Sequence, residues 1–214
     1  MNRNPFNKFT IITVLFITLL IISNLMATKL INLWGMILPA AVIVYPFCFM
    51  CGDVLTEVWG YKTARKVIWL GFFANLLLVV WTYIGVNLPY PSFWQGQEHY
   101  KFIFEAVPRI TLASFVGYIF GELSNSWSLE WIKKFTGQKL LFIRTIGSSM
   151  IGQSLDTLFF FTIAFYGTVP NNVLITMMIT QYLFKVGCEA LGGTPLAYGL
   201  VKWVRKDEYE NSVS

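Results

Sequence analysis

The chain has 214 residues, of which 56% are hydrophobic and 13% are charged, and its formal net charge is +5. A soluble domain carries roughly a quarter charged residues, so this composition excludes a soluble domain, a disordered tail and a small disulfide-stapled module. A membrane span needs about 20 apolar residues, so the length allows about six spans with their connections and no separate catalytic or nucleic-acid-binding domain.

Long uncharged stretches predict six transmembrane helices that form a single domain over residues 1–214. The predicted spans are residues 9–28, 34–56, 64–86, 107–127, 144–167 and 172–200. If the N-terminus is cytoplasmic, 12 of the 16 lysines and arginines fall in cytoplasmic segments. We therefore expect an all-α integral membrane protein with both chain ends in the cytoplasm.

The second predicted span contains Pro39 and Pro46. Because each proline removes a backbone hydrogen bond, we expect this helix to be kinked, and broken backbone in a membrane lies within protein or lines a cavity. The span ends with Asp53 and Glu57, four residues apart on one helix face. This pair suits a proton or cation relay or the binding of a basic ligand, and it equally suits a helix end at the membrane interface.

The connection predicted at residues 86–108 is rich in aromatic residues, which favours an interfacial aromatic belt over a lid across a pathway. It also holds the sole histidine, His99, beside Glu98. One histidine and one glutamate do not make a metal site. We predict no metal and no cofactor for this chain.

The fourth predicted span places Ala113, Gly117 and Gly121 at four-residue spacing. Small residues in this pattern let another helix approach closely, either within one chain or between two copies. The span ends in a polar cluster that includes Asn125.

The fifth predicted span follows Arg144 and carries Ser149, Gln153, Asp156 and Phe160 on one stripe of the helix. A carboxylate, an amide and an aromatic ring on one stripe suit a planar heterocycle that forms hydrogen bonds. The carboxylate lies about three turns into the apolar run, which is too deep for an interfacial anchor. We expect it to bind a ligand or an ion, and the alternative is a structural ion pair with a lysine such as Lys29 or Lys185.

The last predicted span has Gln181, Lys185 and Glu189 at four-residue spacing. The lysine and the glutamate are placed to neutralise each other on one helix face. The alternative is that they join a polar cavity with Asp156.

Several short motifs follow one another along the chain, and together they are more specific than any one of them. They are Ser23-Asn24 with Ala27 and Lys29, residues 52–61 (GDVLTEVWGY) with Ala64-Arg65 and residues 68–72 (IWLGF), Arg109 with Ala113-Ser114, residues 121–126 (GELSNS), and Arg144 with Ser148-Ser149, Gly152-Gln153 and Asp156-Thr157. In these motifs, which cover nearly the whole chain, the sequence resembles the queuosine precursor transporter family, also called the vitamin uptake transporter family. Trp59 stands where tyrosine is expected in that pattern.

The resemblance implies a six-helix inner-membrane importer of 7-deazaguanine compounds, which supply synthesis of the modified tRNA nucleoside queuosine. A guanine-like edge offers adjacent N–H donors and a carbonyl, and its ring stacks on aromatic side chains. The expected substrate-binding residues are Asp156 for the donor edge, Gln153 or Asn125 for the carbonyl, Phe160 or Trp69 for stacking, and Ser149 on the same stripe. Ion coupling or gating is expected of Asp53, Glu57, Arg144, Lys185 and Glu189.

Two other classes of function stay open from the residues. An intramembrane enzyme needs a nucleophile with its base or a metal cluster, and with no usable histidine pair or Ser–His arrangement we predict no catalytic residue. A substrate-binding subunit of an ATP-driven importer also suits a small helical chain, and because no G-x-x-x-x-G-K-[ST] sequence is present, a partner module would hydrolyse the ATP. The expected partners are a deazapurine substrate and the lipid bilayer, not nucleic acid, and the sequence leaves a homo-oligomer open.

Overall fold

The computed structural model describes residues 7–136, 141–188 and 199–204, and for residues 126, 129, 130, 133, 135, 136 and 141–146 it describes the backbone alone. Helix α1 spans Lys8–Met26, and a β-hairpin follows with strands β1 at Leu30–Leu33 and β2 at Met36–Pro39. A 3-10 helix at Ala40–Ile43 leads into α2 at Tyr45–Trp59 and α3 at Tyr61–Asn87. The chain continues with α4 at Gln97–Thr136, α5 at Leu141–Phe165 and α6 at Asn171–Cys188, and residues 199–204 are also helical.

Three helical segments within the described parts of the chain are long and apolar enough to cross a membrane: Lys8–Met26, Tyr61–Asn87 and Gln97–Asn125. Large apolar side chains such as Val14 and Phe73 are more than half exposed on these helices, as lipid-facing side chains are. The chain is therefore a multi-pass membrane protein. Helix α4 has 40 residues, so at 1.5 Å per residue it is about 60 Å long, roughly twice the thickness of the hydrocarbon core.

The second predicted span is wrong over residues 34–44, where the chain forms a hairpin and a 3-10 helix. The two turn residues, Trp34 and Gly35, have φ values of 52° and 85°, as a type I′ hairpin turn requires. The Gly35 amide also donates a hydrogen bond to Asn32 Oδ1 at 2.9 Å. Apolar content was the basis for predicting a helix, but a short apolar run suits a buried strand equally well.

The prediction that prolines kink the second helix is also wrong for Pro39 and Pro46. Pro39 ends β2, and Pro46 lies in the first turn of α2, where a helix does not need the missing N–H. Among the described residues, Pro108 lies inside a helix, in α4. The predicted number of six helices is wrong as well, because the described residues contain six α-helices, one 3-10 helix and the helical segment at residues 199–204.

The connection between α3 and α4 is shorter than predicted, because α3 continues to Asn87 and α4 begins at Gln97. Its aromatic rings pack on one another and on the first turn of α4: Tyr90 lies 6.2 Å from Trp94, and Trp94 lies 6.0 Å from Tyr100 of α4, measured between ring centroids. These edge contacts make a packed aromatic end to the helix pair.

Helices α4 and α5 pack along a face of small residues, including Ala113, which is fully buried. The same face continues into an apolar cluster with Phe161 and Met177, which packs α5 against α6. The small-residue face therefore packs within one chain.

At the far end of α5, Arg109 donates hydrogen bonds to the carbonyl oxygens of Ile163 and Tyr166. A guanidinium at the C-terminus of a helix satisfies carbonyls that lack helical partners and complements the helix dipole. Arg109 therefore connects α4 to the C-terminal end of α5.

Candidate functional site

The centre of the candidate site is an ion pair between α5 and α6. Lys185 Nζ donates a hydrogen bond to Asp156 Oδ2, and the lysine side chain is 6% exposed while the aspartate side chain is 27% exposed. The lysine side chain is thus almost fully buried, whereas the aspartate side chain stays partly accessible. Desolvation offsets much of the attraction in such a pair, but removal of one partner is strongly destabilising, because the other charge is then left buried alone.

The backbone of α4 lies directly against this aspartate because two glycines face it. A Cβ atom at Gly117 would lie 2.8 Å from Asp156 Oδ1 and 2.9 Å from the backbone oxygen of Asp156. A Cβ atom at Gly121 would lie 2.9 Å from Asp156 Cβ. Real Cβ atoms do not approach other atoms so closely, so the absence of side chains on α4 creates the space that the carboxylate occupies.

The ion pair borders a second polar network through Tyr45 at the start of α2. Lys185 Nζ lies 5.5 Å from the centroid of the Tyr45 ring, which is a cation–π distance, and the Tyr45 hydroxyl interacts with Ser114 on α4. Ser114 in turn donates to Asn24 Oδ1 at 2.7 Å. Asn24 donates to Asn75 Oδ1, also at 2.7 Å.

These two asparagines lie on α1 and α3 and are 2% and 0% exposed. Their hydrogen bonds connect α1, α3 and α4, and the tyrosine extends the network towards the ion pair. Buried polar networks of this kind fix the relative position of helices when every member is paired.

Two buried amide oxygens near these helices have no hydrogen-bond partner among the described residues: Asn125 Oδ1 on α4 and Gln181 Oε1 on α6. Gln181 is 1% exposed and lies one helical turn before Lys185. Buried polar atoms without a partner are rare in native proteins and call for an explanation. An amide oxygen of this kind is an acceptor available to a ligand N–H group.

A shallow cleft lies between α2 and α6 on the side of Lys185. Its lining residues are Tyr45, Pro46, Phe49, Gln181, Phe184, Lys185 and Cys188. The side chains close the cleft so tightly that no water-sized cavity remains in it, whereas typical ligand pockets have volumes of roughly 300–1,000 Å³. The two helices must therefore move apart before a purine-sized molecule can reach the ion pair by this route.

The structure brings some of the predicted substrate-binding residues together and separates others. Asn125 packs on α5, because a Cβ atom at Gly152 would lie 2.8 Å from Asn125 Cβ. Phe160 is 4% exposed, and its ring contacts Phe161 and Phe165, so it belongs to the apolar cluster beside the ion pair. Ser149 and Gln153, further along the stripe on α5, are half-buried.

Trp69 lies away from this group. It is 51% exposed on α3, and its ring contacts Phe72 and Phe115 at centroid distances of 6.2 and 5.7 Å. Phe115 and Gly117 differ by two positions, or about 200° around α4. The tryptophan therefore packs on the face of α4 opposite to the aspartate.

The residues expected to couple ions or form a gate are dispersed. Asp53 and Glu57 are exposed, one turn apart on α2. The side chain of Arg144 and the whole of Glu189 lie outside the described residues. Of this group, Lys185 alone is seen next to Asp156 in the described part of the chain.

Sequence reasoning did not assign Tyr45, Gln181 or Asn75 to the site. A signal for Gln181 was present, because it stands four residues before Lys185. Asn75 is a polar residue in the middle of a long apolar run, which is itself an indication of a buried partner. Tyr45 had no such signal, since its role depends on where the hairpin directs the start of α2.

Comparison with known proteins places the chain among transporters. Residues 39–200 match the family described as "Putative vitamin uptake transporter". A "Probable queuosine precursor transporter" from Bacillus subtilis (strain 168) is 32% identical over 188 residues, which are 87% of this chain and 81% of that protein. No solved structure matches the chain.

Two further relatives carry similar names. A "Probable queuosine precursor transporter" from Haemophilus influenzae (strain ATCC 51907 / DSM 11121 / KW20 / Rd) is 28% identical over 74% of this chain and 66% of that protein. The "Queuosine precursor transporter" from Escherichia coli (strain K12) is 26% identical over 73% of this chain and 69% of that protein. The resemblance seen in the sequence motifs is confirmed, and the chain belongs to the vitamin uptake transporter family.

Proposed function

We propose that this chain imports queuosine precursors, 7-cyano-7-deazaguanine or 7-aminomethyl-7-deazaguanine, across the cytoplasmic membrane to supply tRNA queuosine synthesis. The names of three relatives support the substrate class. The observation that carries the proposal is the ion pair of Asp156 and Lys185 among apolar helices, whose described residues also include two buried amide oxygens without a hydrogen-bond partner, on Asn125 and Gln181. Charged groups inside a membrane are costly and mark substrate or ion pathways.

The ion pair leaves part of the Asp156 side chain accessible. Lys185 bonds to Oδ2, and the aspartate side chain is 27% exposed. The guanine edge of a deazaguanine carries adjacent N–H groups, which a carboxylate accepts, and a carbonyl oxygen, which an ammonium or an amide N–H satisfies. We assign the donor edge to Asp156 and the carbonyl to Lys185 or to the amides of Gln153 and Asn125.

Apolar side chains near the pair provide the surface for the heterocycle. Phe160 lies beside the pair, and a Cβ atom at Gly117 would be 3.4 Å from Phe160 Cβ. We assign ring contact to Phe160 rather than to Trp69, which packs on the opposite face of α4. Ser149 lies two turns before Asp156 on α5 and extends the polar stripe along a substrate path.

The narrow cleft between α2 and α6 supports a transport cycle in which these helices separate and close again. Asp53 and Glu57 lie on α2, so a movement of this helix would carry both carboxylates with it. We assign ion coupling or gating to these two residues, together with Arg144 and Glu189. The family and its relatives are named as transporters, which favours import by the chain itself over a binding subunit of an ATP-driven importer.

The test is uptake of labelled 7-cyano-7-deazaguanine by cells that do not make it. We expect cells with the wild-type chain to accumulate label, and cells with Asp156→Asn to lose most of this uptake at equal membrane expression. The matched control is Glu105→Gln, a carboxylate that is 58% exposed on α4 and that we expect to leave uptake unchanged. Full uptake by Asp156→Asn would refute the assignment of the site.

A second assay separates the two modes of import. Purified chain reconstituted alone into vesicles should take up label when an ion gradient is imposed. Uptake that appears only with an added ATPase module and ATP would refute independent transport and leave the substrate assignment intact.

A further inference from the structure

We infer that Lys185 sets the charge selectivity of the transport site, so that the site prefers the neutral 7-cyano-7-deazaguanine to the cationic 7-aminomethyl-7-deazaguanine. This inference rests on the proposed function. It follows from the ion pair of Lys185 and Asp156, in which the site already holds one positive and one negative charge. Among the described residues of the site, a bound cation would find no uncompensated negative charge.

Three further charged groups of the described residues lie on α3 and α4. Glu122 and Arg65 both lie close to Tyr118, so their opposite charges oppose each other at that position. Arg109 is bound to carbonyl oxygens at the end of α5, seven and ten positions after Asp156. The charge next to the carboxylate of Asp156 is therefore set mainly by Lys185, the buried charged residue of the described core.

The two precursors have similar shapes but different charges, so a comparison of their binding isolates the effect of charge. They share the guanine edge and differ at the substituent on carbon 7, which is a neutral nitrile in one and a primary amine in the other. A primary aliphatic amine is protonated at pH 7, as lysine is. To bury this ammonium without a counter-ion costs free energy that the nitrile does not require.

The size of the effect follows from the separation of the charges. A purine-sized ring bound by its guanine edge to Asp156 places the substituent about 7 Å from the carboxylate. Two unit charges at about 7 Å and an effective dielectric constant of about 20 change a dissociation constant by roughly 50-fold. Removal of the lysine charge should therefore shift the ratio of the two dissociation constants towards the amine by about this factor.

The experiment measures the dissociation constants of both precursors for detergent-purified protein at pH 7, for four versions of the chain. The described ion pair has a net charge of zero in the wild type, negative in Lys185→Met, positive in Asp156→Asn and zero in the double variant. We expect preference for the amine to be greatest in Lys185→Met, lowest in Asp156→Asn, and similar in the wild type and the double variant. The matched control, Lys101→Met at an exposed lysine, should keep the wild-type ratio.

The outcomes distinguish this inference from the function on which it rests. A wild type that binds both precursors equally, or a ratio that is the same in all four versions, refutes the charge selectivity and leaves the function intact. A wild type that binds neither precursor refutes the function and the selectivity together. If Lys185→Met does not fold, the order of the wild type, Asp156→Asn and the double variant still decides the question.

Discussion

The close approach of α4 to α5 gives a prediction for Gly117→Ala. The new methyl group would lie 2.8 Å from Asp156 Oδ1 and 2.9 Å from the backbone oxygen of the same residue. A carboxylate can rotate away from a methyl group, but a backbone oxygen within a helix cannot, so α4 and α5 must separate by several tenths of an ångström. Overpacking of this kind typically costs about 1–3 kcal/mol.

Two measurements check this prediction. For a chain of about 200 residues, such a cost corresponds to a decrease of about 2–12 °C in the apparent Tm, measured by thermal unfolding in detergent. Uptake of labelled precursor should fall as well, because the displaced carboxylate no longer meets Lys185.

The control is Gly187→Ala on α6, where the added Cβ atom meets no other atom within 4 Å. Alanine is favoured over glycine inside a helix by about 1 kcal/mol, so this variant should be as stable as the wild type or slightly more so. If Gly117→Ala matched Gly187→Ala in both Tm and uptake, the argument that bare α4 backbone makes room for the aspartate would be refuted.

Three other substitutions test separate parts of the structure. Asn75→Leu removes the acceptor for the Asn24 amide and should lower stability by about 1–3 kcal/mol, because a buried donor is left without a partner; an unchanged Tm would show that the amide is satisfied elsewhere. Arg109→Met removes both hydrogen bonds at the end of α5 and should cost about 1.5–3 kcal/mol for each; thermal unfolding with Lys101→Met as the control measures it. Gln181→Leu replaces an amide oxygen that has no partner among the described residues, so stability should hold or rise while precursor affinity falls; equal loss of both would indicate a structural role.

The order of the helices was largely predictable because a membrane imposes a minimum length on each apolar run. Predicted spans at 9–28 and 64–86 correspond closely to α1 and α3, and α5 differs from its prediction by about three residues at its start. The failure at residues 34–44 has a local cause. A β-hairpin in an apolar stretch depends on positive φ at Trp34 and Gly35, and hydropathy does not report backbone conformation.

The candidate site was predictable only in part. Asp156 was found from sequence because a carboxylate deep in an apolar run has a high solvation cost and needs a partner or a ligand. Its partner was left open among several residues, since spacing along one helix says nothing about which other helix lies opposite. The structure selects Lys185 from a different helix, 29 positions away.

The sequence by itself determined that the chain lies in a membrane, where most of its helices run, which family it belongs to and which carboxylate lies deep in an apolar helix. These properties depend on composition and local order, which are written along the chain. Only the tertiary structure decided that Gly117 makes room for Asp156, that Asn24 and Asn75 join two helices, and that Tyr45 lies over Lys185. Each of these is a contact between residues distant in sequence, and the packing of the whole bundle determines which of them meet.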